Sequence, residues 1–246
     1  MLKRSLILFY AIVSYILFLI ANLYFECFLG NIYIQNSLDS SPKTDWSTAL
    51  AINIGLILLF SIPHSLMARQ SFKNIYVRFF PKSTERTTYI LVAAIFLVLL
   101  TYFWQPIGPY IWRVEWSIGR ILIHIVFGLG LLIMLISTFL IDHFELFGIK
   151  QAYYQWAQKP MPTNENFQTP FLYKYVRHPM MTGVLLNIWA TPDMTVAHLV
   201  LALGFSIYII IGTNIEEKDL EKVLGEEYKN YQKETPKLVP KLGRRT

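Results

Sequence analysis

The chain alternates long apolar segments with shorter polar ones. Four of the apolar segments contain no Asp, Glu, Lys or Arg: 5–25, 47–67, 87–104 and 121–141. A membrane-spanning α-helix needs about 20 mainly apolar residues, and each charge near its centre costs a few kcal/mol. The pattern therefore predicts four transmembrane helices.

The pattern near the C-terminus predicts a helical hairpin. An apolar stretch at 180–191 is too short to span a membrane alone, and Pro192 and Asp193 end it before a full-length segment at 195–213. The predicted fold class is all-α: a polytopic membrane helix bundle of about six transmembrane helices, the last two a helical hairpin. A helical pattern at 215–233, which has an acidic first turn, predicts a cytoplasmic C-terminal helix.

The distribution of positive charge orients this bundle. Nineteen of the 22 Lys and Arg residues lie in segments that share one side of the membrane when the N-terminus is cytoplasmic, and the other side holds only Lys43, Arg113 and Arg120. Because cytoplasmic loops are enriched in Lys and Arg, both termini and the long loop at 142–177 are predicted to be cytoplasmic. We expect a multi-pass integral protein of the bacterial inner membrane, with its active site at the cytoplasmic face.

Composition narrows the class of protein. Hydrophobic residues make up 54% of the 246 positions and mean hydropathy is +0.40, which excludes an ordinary soluble fold. The single cysteine, Cys27, excludes an internal disulfide and a multi-cysteine site, and no metal is predicted. The net charge of +6 predicts contact with membrane lipids and no nucleic-acid partner. No obligate protein partner is indicated, and residues 1–246 are predicted to form a single integral membrane domain.

The densest set of reactive side chains lies at 173–183, around the start of the short apolar stretch. Pro179 fits the first turn of a helix, whose free N–H groups and positive dipole end bind anions such as a carboxylate. Arg177 and His178 would add hydrogen-bond donors there. The alternative is that Arg177 is an interfacial residue whose charged end reaches water and that His178 merely begins the helix.

A pair of acidic residues completes this candidate site. Glu216 and Glu217 close the last apolar segment, and a hairpin that turns near Pro192 brings them to the same membrane face as His178. The two arms of the hairpin, about 12 and about 21 residues long, would rise about 18 Å and about 32 Å. The Glu pair is therefore predicted to project farther into the cytoplasm than His178. A long ligand could lie along this offset. The alternative is a pair of acidic residues that only cap an exposed helix.

Two further imidazoles lie near the predicted membrane boundary. His143 and Glu145 follow the fourth apolar segment, and His64 lies near the inner end of the second. Ionisable groups at such depth are costly unless they are paired or hydrated, so they are functional candidates. The alternative is a packed interhelical hydrogen bond, which we favour for His64. His124 and His198 lie near the outer face and are expected to be structural.

Three ordered motifs resemble those of the membrane methyltransferases related to isoprenylcysteine carboxyl methyltransferase. They are a Tyr-x-x-x-x-His-Pro box, a Glu pair and a Gly-Glu-Glu-Tyr-x-x-Tyr tail, at 173–179, 216–217 and 225–231. Four other segments look like the narrower group of methanethiol S-methyltransferases: 64–69, 85–89, 142–148 and 189–192. The likeness covers nearly the whole chain.

This resemblance implies a reaction, a cofactor and a set of residues. The cofactor would be S-adenosylmethionine, the acceptor the small thiol methanethiol and the product dimethyl sulfide. The cofactor-binding part would be about 142–240. The residues that the resemblance assigns to cofactor binding are Gln168, Tyr173, Arg177, His178, Pro179, Met180, Met181, Glu216 and Glu217. Relatives that act on prenylcysteine often have Tyr at the position of Met181, which leaves the nature of the acceptor pocket open.

The implied reaction requires a thiolate, because a thiol is a poor nucleophile. A cysteine-like thiol with a pKa of about 8.5 is mostly protonated at neutral pH, so a base or a positive field is needed. The candidate catalytic bases are His143, Glu145 and His64. Arg69 and Arg86 are the alternative, since a nearby cation lowers the pKa of a thiol.

Other functions stay open at this point. Methylation of a prenylated cysteine carboxylate or of a phospholipid head group would need a lateral opening for a lipid tail. A haem-binding membrane electron-transfer protein would use His64, His124 and His143 as axial ligands. A structural or sensor protein without chemistry is the remaining alternative.

Overall fold

The computed structural model describes residues 1–32, 37–162 and 167–240. The α-helices are α1 (Leu2–Leu29), α2 (Trp46–Met67), α3 (Gln70–Phe79), α4 (Glu85–Phe103), α5 (Ser117–Ile141), α6 (His143–Leu146), α7 (Ile149–Ala157), α8 (Pro179–Trp189), α9 (Val196–Leu224) and α10 (Glu226–Glu234). Short 3₁₀ turns at Lys82–Thr84 and Phe171–Lys174 and two strands, β1 (Tyr110–Arg113) and β2 (Asp193–Thr195), complete the elements. The all-α prediction is confirmed.

Five of these helices are long and apolar enough to cross a membrane. They are α1, α2, α4 with the 3₁₀ turn before it, α5 and α9. Helix α8 has 11 residues, fewer than the roughly 20 that a span needs. The prediction of an integral membrane helix bundle is confirmed. Of the roughly six predicted spans, the structure supports five.

The contacts divide the chain into two compact units. The first contains residues 1–113, 142–162 and 193–201. In it α1 packs against α4 and α7, and α2 packs against α4. Ala152 of α7 is fully buried against Ile7 and Ala11 of α1. Part of the predicted inner loop therefore packs against a membrane-length helix.

The two strands are an element that the sequence pattern did not predict. They pair antiparallel in the first unit, with Arg113 opposite Asp193. The Nε atom of Arg113 lies 3.4 Å from the Oδ1 atom of Asp193. With three and four residues, the strands are too short to produce a recognisable alternation of apolar and polar positions.

Among the described residues, the second unit contains 114–141, 167–192 and 202–240. Helix α5 packs closely against α8 there, and Gly183 of α8 faces the backbone of Gly130 in α5. Small residues at a helix contact let two backbones approach, as is common in membrane bundles. The N-terminal part of α8 is held in place by this contact.

The last apolar segment and the first part of the C-terminal helical pattern form one helix. Helix α9 continues without interruption from Val196 to Leu224. The Glu, Lys and Leu residues of this part favour helix, and the chain turns only at Gly225, whose positive φ of 61° suits a residue without a side chain. Helix α10 follows and ends at Glu234, before Pro236.

Helix α8 and the C-terminal part of α9 are antiparallel neighbours. The indole Nε1 of Trp189 donates to the Oγ atom of Ser206 at 3.0 Å, and the Nε2 atom of His178 lies 3.1 Å from the Oε1 atom of Glu217. The two contacts are 11 residues apart on each arm (189 − 178 and 217 − 206). The predicted offset between His178 and the Glu pair was therefore wrong. Helix α8 pairs with residues 206–217 of α9, so the extra length of α9, residues 196–205, lies beyond the Trp189 end of α8 and not beside His178.

Candidate active site

The carboxylate of Glu217 is the centre of an ionic cluster in the second unit. Its side chain is only 6% exposed. The Nε atom of Arg177 donates to Oε1 at 2.7 Å, and the Nζ atom of Lys237 lies 2.7 Å from Oε2. His178 contacts the same Oε1 atom. One buried carboxylate thus holds three side chains that can carry positive charge.

The backbone of the C-terminal segment is fixed across the start of α8. The backbone N–H groups of Arg177 and His178 donate to carbonyl oxygens within 236–238, at 2.9 Å and 3.1 Å. The hydroxyl of Thr182 donates to a third carbonyl of that segment at 2.7 Å. A guanidinium N–H of Arg177 also donates to the carbonyl of Gln232 at 3.0 Å. These bonds hold the residues before α8 in one conformation.

Glu216 and Glu217 have different environments. The side chain of Glu216 is 56% exposed, and its Oε2 atom lies 3.7 Å from the Nδ1 atom of His178. The imidazole of His178, which is itself buried, therefore lies between two carboxylates. Glu217 faces the interior and holds the local fold, whereas the Glu216 carboxylate faces outward.

The first turn of α8 provides an anion-binding end. Pro179 occupies the first turn, as predicted, and His178 is the N-cap residue. The side chain of His178 does not cap the helix and is directed to Glu217 instead. The first N–H groups of a helix have no acceptor within the helix, so those of Met180 and Met181 are suited to bind a carboxylate.

Aromatic side chains line the chain segment before α8. The hydroxyl of Tyr231 donates to the backbone carbonyl of Tyr173, and the ring of Phe167 lies 5.3 Å from the ring of Tyr231. Burial raises the pKa of Tyr173, and the nearby Glu216 carboxylate raises it further, so its hydroxyl stays protonated and can donate a hydrogen bond. Gln168, which follows Phe167, is exposed.

A second candidate centre lies around His143 in the first unit. This imidazole is 5% exposed, and its Nε2 atom lies 2.6 Å from the hydroxyl oxygen of Tyr15. The rings of Phe144 and Phe147 lie 5.3 Å and 4.8 Å from it. Burial lowers the pKa of His143, although the nearby Asp142 carboxylate opposes the shift. The imidazole is therefore neutral at pH 7 and able to accept a proton.

Glu145 is engaged by a cation. Its Oε2 atom lies 3.1 Å from the Nζ atom of Lys150, which also binds Asp142. Asp142 has a strained φ of 141° and accepts a hydrogen bond from the backbone N–H of Glu145 at 3.0 Å. Burial would raise the pKa of Asp142, but hydrogen bonds from Lys150 and that N–H lower it on balance.

His64 makes the packed interhelical contact that we favoured from the sequence. Its Nε2 atom lies 2.5 Å from the hydroxyl of Tyr89, which joins α2 to α4. The ring of Phe60 stacks on it at 5.2 Å, and the guanidinium of Arg86 lies 5.9 Å from the centre of the Tyr89 ring.

The structure therefore separates the predicted residues into two sets. The second unit brings together the residues proposed for the cofactor, and the first unit contains His64, His143 and Glu145. Sequence reasoning missed Lys237 and Tyr15. Lys237 lies in a polar tail without a pattern, and Tyr15 lies within an apolar segment, where it was counted only as an apolar residue.

Comparison with known proteins relates the whole chain to one group. Residues 52–241 match a family model described as NnrU protein. The chain is 43% identical over 245 residues to a methanethiol S-methyltransferase of Crocosphaera subtropica, covering 100% of this chain and 96% of that protein. It is 47% identical to one of Pseudomonas deceptionensis, with 88% and 82% covered, and 41% identical to one of Mycobacterium tuberculosis, with 97% of each covered. No solved structure matches.

Proposed function

Because the chain belongs to the NnrU protein family and to the methanethiol S-methyltransferases that it matches along its length, we propose that it methylates methanethiol to dimethyl sulfide. The observation that carries this proposal is the match at 43% identity over the full chain. That match favours a small thiol over prenylcysteine or a phospholipid as acceptor, and a methyltransferase over a haem protein.

We propose S-adenosylmethionine as the methyl donor. When bound, it supplies a methyl group on a positively charged sulfonium. The residues at the start of α8 fit its polar groups, since the N–H groups of Met180 and Met181 and the imidazole of His178 suit a carboxylate. The exposed carboxylate of Glu216 suits an amine or ribose hydroxyls, and the protonated hydroxyl of Tyr173 is a further donor.

The remaining residues of the proposed cofactor site have supporting roles. Arg177 and Glu217 bind each other and fix the segment that carries His178. Pro179 sets the first turn of α8, and Gln168 lies exposed near the aromatic residues before it. Rigid positioning of this kind matters because holding two reactants in line is worth about 7 to 11 kcal/mol of the barrier.

The acceptor thiol must lose its proton. We assign that step to His143, whose imidazole is neutral at pH 7 and lies beside the Asp142 carboxylate, which stabilises an imidazolium. Glu145 is the second candidate, but its carboxylate is held by Lys150. His64 is the third, and its Nε2 atom is in contact with the hydroxyl of Tyr89.

We also propose an orientation for the protein. Both termini and the α8 start are cytoplasmic, and α8 and α9 form the last hairpin of a bacterial inner-membrane protein. The 19 Lys and Arg residues of one side against three of the other support this orientation. A site at the cytoplasmic face would also be directly accessible to S-adenosylmethionine from the cytoplasm.

The proposal is tested by incubating membranes that contain the protein with S-adenosylmethionine and methanethiol and measuring dimethyl sulfide in the headspace. We expect His178→Ala and Glu216→Ala to lose the product. Asp219→Ala is the matched control, because it removes an exposed carboxylate of the same helix. Wild-type protein that binds the cofactor but gives no product would redirect the acceptor to lipids or prenylcysteine. Absence of cofactor binding would contradict the proposal itself.

A further inference from the structure

Lys237 contacts the second unit with both its side chain and its backbone. Its Nζ atom lies 2.7 Å from the Oε2 atom of Glu217 and 2.5 Å from the Oδ1 atom of Asn214, and both partners belong to α9. Its carbonyl oxygen accepts the backbone N–H of His178, the N-cap residue of α8, at 3.1 Å. One residue of the C-terminal segment therefore joins α9 to the start of α8.

The neighbours of Lys237 in the sequence contact the start of α8 through their carbonyl groups. The carbonyl of Pro236 accepts the N–H of Arg177 at 2.9 Å, and that of Leu238 accepts the hydroxyl of Thr182 at 2.7 Å. Proline and leucine side chains cannot form an ion pair. Within 236–238, Lys237 is thus the residue whose side chain anchors the three carbonyls to α9.

The two oxygen atoms of Glu217 have different partners. Oε1 accepts from the Nε atom of Arg177 at 2.7 Å and lies 3.1 Å from the Nε2 atom of His178, whereas Oε2 faces Lys237. Hydrogen bonds between charged groups are shorter and stronger than neutral ones, so a carboxylate that is bound at both oxygens has one preferred orientation. Lys237 therefore helps to set the direction in which Oε1 meets the imidazole.

The ion pair is largely shielded from water. The Lys237 side chain is 25% exposed and that of Glu217 is 6% exposed. Partly buried pairs are screened by salt much less than pairs on the surface. The charge of Lys237 is therefore expected to matter more than that of an exposed lysine in the same segment.

We propose that Lys237 is a positioning residue for the cofactor site at the start of α8. Its ion pair with Glu217 holds the carbonyls of 236–238 against α8, and these carbonyls hold the backbone of Arg177 and His178 in the conformation that suits the cofactor. Lys237 acts through these groups and does not itself need to touch the ligand. The identity of the ligand rests on the proposed function.

Removing the charge should weaken cofactor binding without slowing the chemical step. Lys237→Met keeps a long side chain but cannot pair with Glu217, so the start of α8 should be in the binding conformation for a smaller fraction of the time. Apparent affinity falls in proportion to that fraction, and we expect the dissociation constant for S-adenosylmethionine to rise about 10-fold. The KM for the cofactor should rise likewise, while kcat stays within about twofold of wild type, because bound cofactor restores the conformation.

Two further variants separate positioning from a general loss of stability. Lys237→Arg should recover the affinity, since a guanidinium also pairs with a carboxylate. Lys233→Met is the matched control, because it removes an exposed lysine of the same segment whose Nζ atom donates to Asn230 at 3.2 Å. Isothermal titration calorimetry of the purified protein in detergent gives the dissociation constant and the fraction of binding-competent protein separately.

Hydrogen–deuterium exchange of the cofactor-free protein tests the same inference without the ligand. The backbone N–H groups of Arg177 and His178 donate to the carbonyls of 236 and 237, so peptides covering 177–182 should exchange faster in Lys237→Met. They should exchange as in wild type in Lys237→Arg and Lys233→Met.

Three outcomes would overturn the inference. They are an unchanged dissociation constant in Lys237→Met, a loss that appears only as a smaller binding-competent fraction, and equal exchange at 177–182 in Lys237→Met and wild type. Wild-type protein that does not bind S-adenosylmethionine would instead contradict the proposed function. The exchange comparison would then still decide whether Lys237 holds the start of α8.

Discussion

The Nε2 atom of His178 lies 3.1 Å from the Oε1 atom of Glu217, 39 residues farther along the chain. The same carboxylate binds Arg177 and Lys237, so it joins the start of α8, the C-terminal part of α9 and the C-terminal segment. Glu216 lies beside it in sequence but is turned outward. Two adjacent glutamates therefore lie in different environments, one buried in an ionic cluster and one largely exposed.

Replacing Glu217 should destabilise the protein. Glu217→Gln removes the charge that compensates Arg177 and Lys237, and breaking a buried ion pair in this way costs about 3 to 5 kcal/mol. Thermal unfolding of the purified protein in detergent measures the effect. Asp219→Asn is the control, because its side chain is 54% exposed and its pair with Lys222 is a surface pair. Equal unfolding temperatures of Glu217→Gln and wild type would contradict the structural role.

Replacing Glu216 should weaken cofactor binding without loss of stability. Glu216→Gln keeps the size of a side chain that is largely exposed, so the free energy of unfolding should stay within about 0.5 kcal/mol of wild type. We expect the affinity for S-adenosylmethionine to fall about 10-fold, which corresponds to about 1.4 kcal/mol. Isothermal titration calorimetry measures this affinity. An unchanged dissociation constant would remove Glu216 from the proposed site.

Much of this site could be predicted from the sequence because its parts follow local rules. Runs of apolar residues of sufficient length identify the spans, and Pro179 identifies the start of α8. A hairpin between two adjacent segments brings their ends together, which is how His178 and Glu217 were expected to meet. The predicted offset was wrong because α8 pairs with residues 206–217 of α9, and the extra residues of α9, 196–205, extend past the other end of α8.

Other contacts depend on the packing of distant segments and had no local signal. Lys237 reaches Glu217 only because the C-terminal segment turns back at Gly225 and crosses the start of α8. Tyr15 meets His143 because α7 packs along α1, which is decided by small residues such as Ala11 and Ala152. In the sequence, a tyrosine within an apolar segment cannot be told apart from the other membrane residues, because the partner of its hydroxyl is distant in the chain.

The close contact between α5 and α8 should be sensitive to a single methyl group. A Cβ atom at Gly183 would lie 2.6 Å from the carbonyl oxygen of Gly130 and 2.9 Å from the backbone nitrogen of Met134. Backbone atoms cannot turn aside as a side chain can, so Gly183→Ala should lower stability by about 1 to 3 kcal/mol. Gly128→Ala on α5 is the control, since a Cβ there meets nothing within 4 Å. If both variants unfold at the same temperature in detergent, the close approach of the two helices is not present in solution.

Stability should fall below pH 6.5 because of His143. Burial lowers the pKa of this imidazole from its ordinary value of 6.5. As pH falls below 6.5 the unfolded chain binds a proton there while the folded protein does not, so stability is lost from pH 6.5 down to the lower pKa of the folded state. His143→Gln removes this titration, so its unfolding temperature should change less than that of wild type between pH 7 and pH 5. Parallel pH profiles for the two proteins would show that His143 is not held neutral by its surroundings.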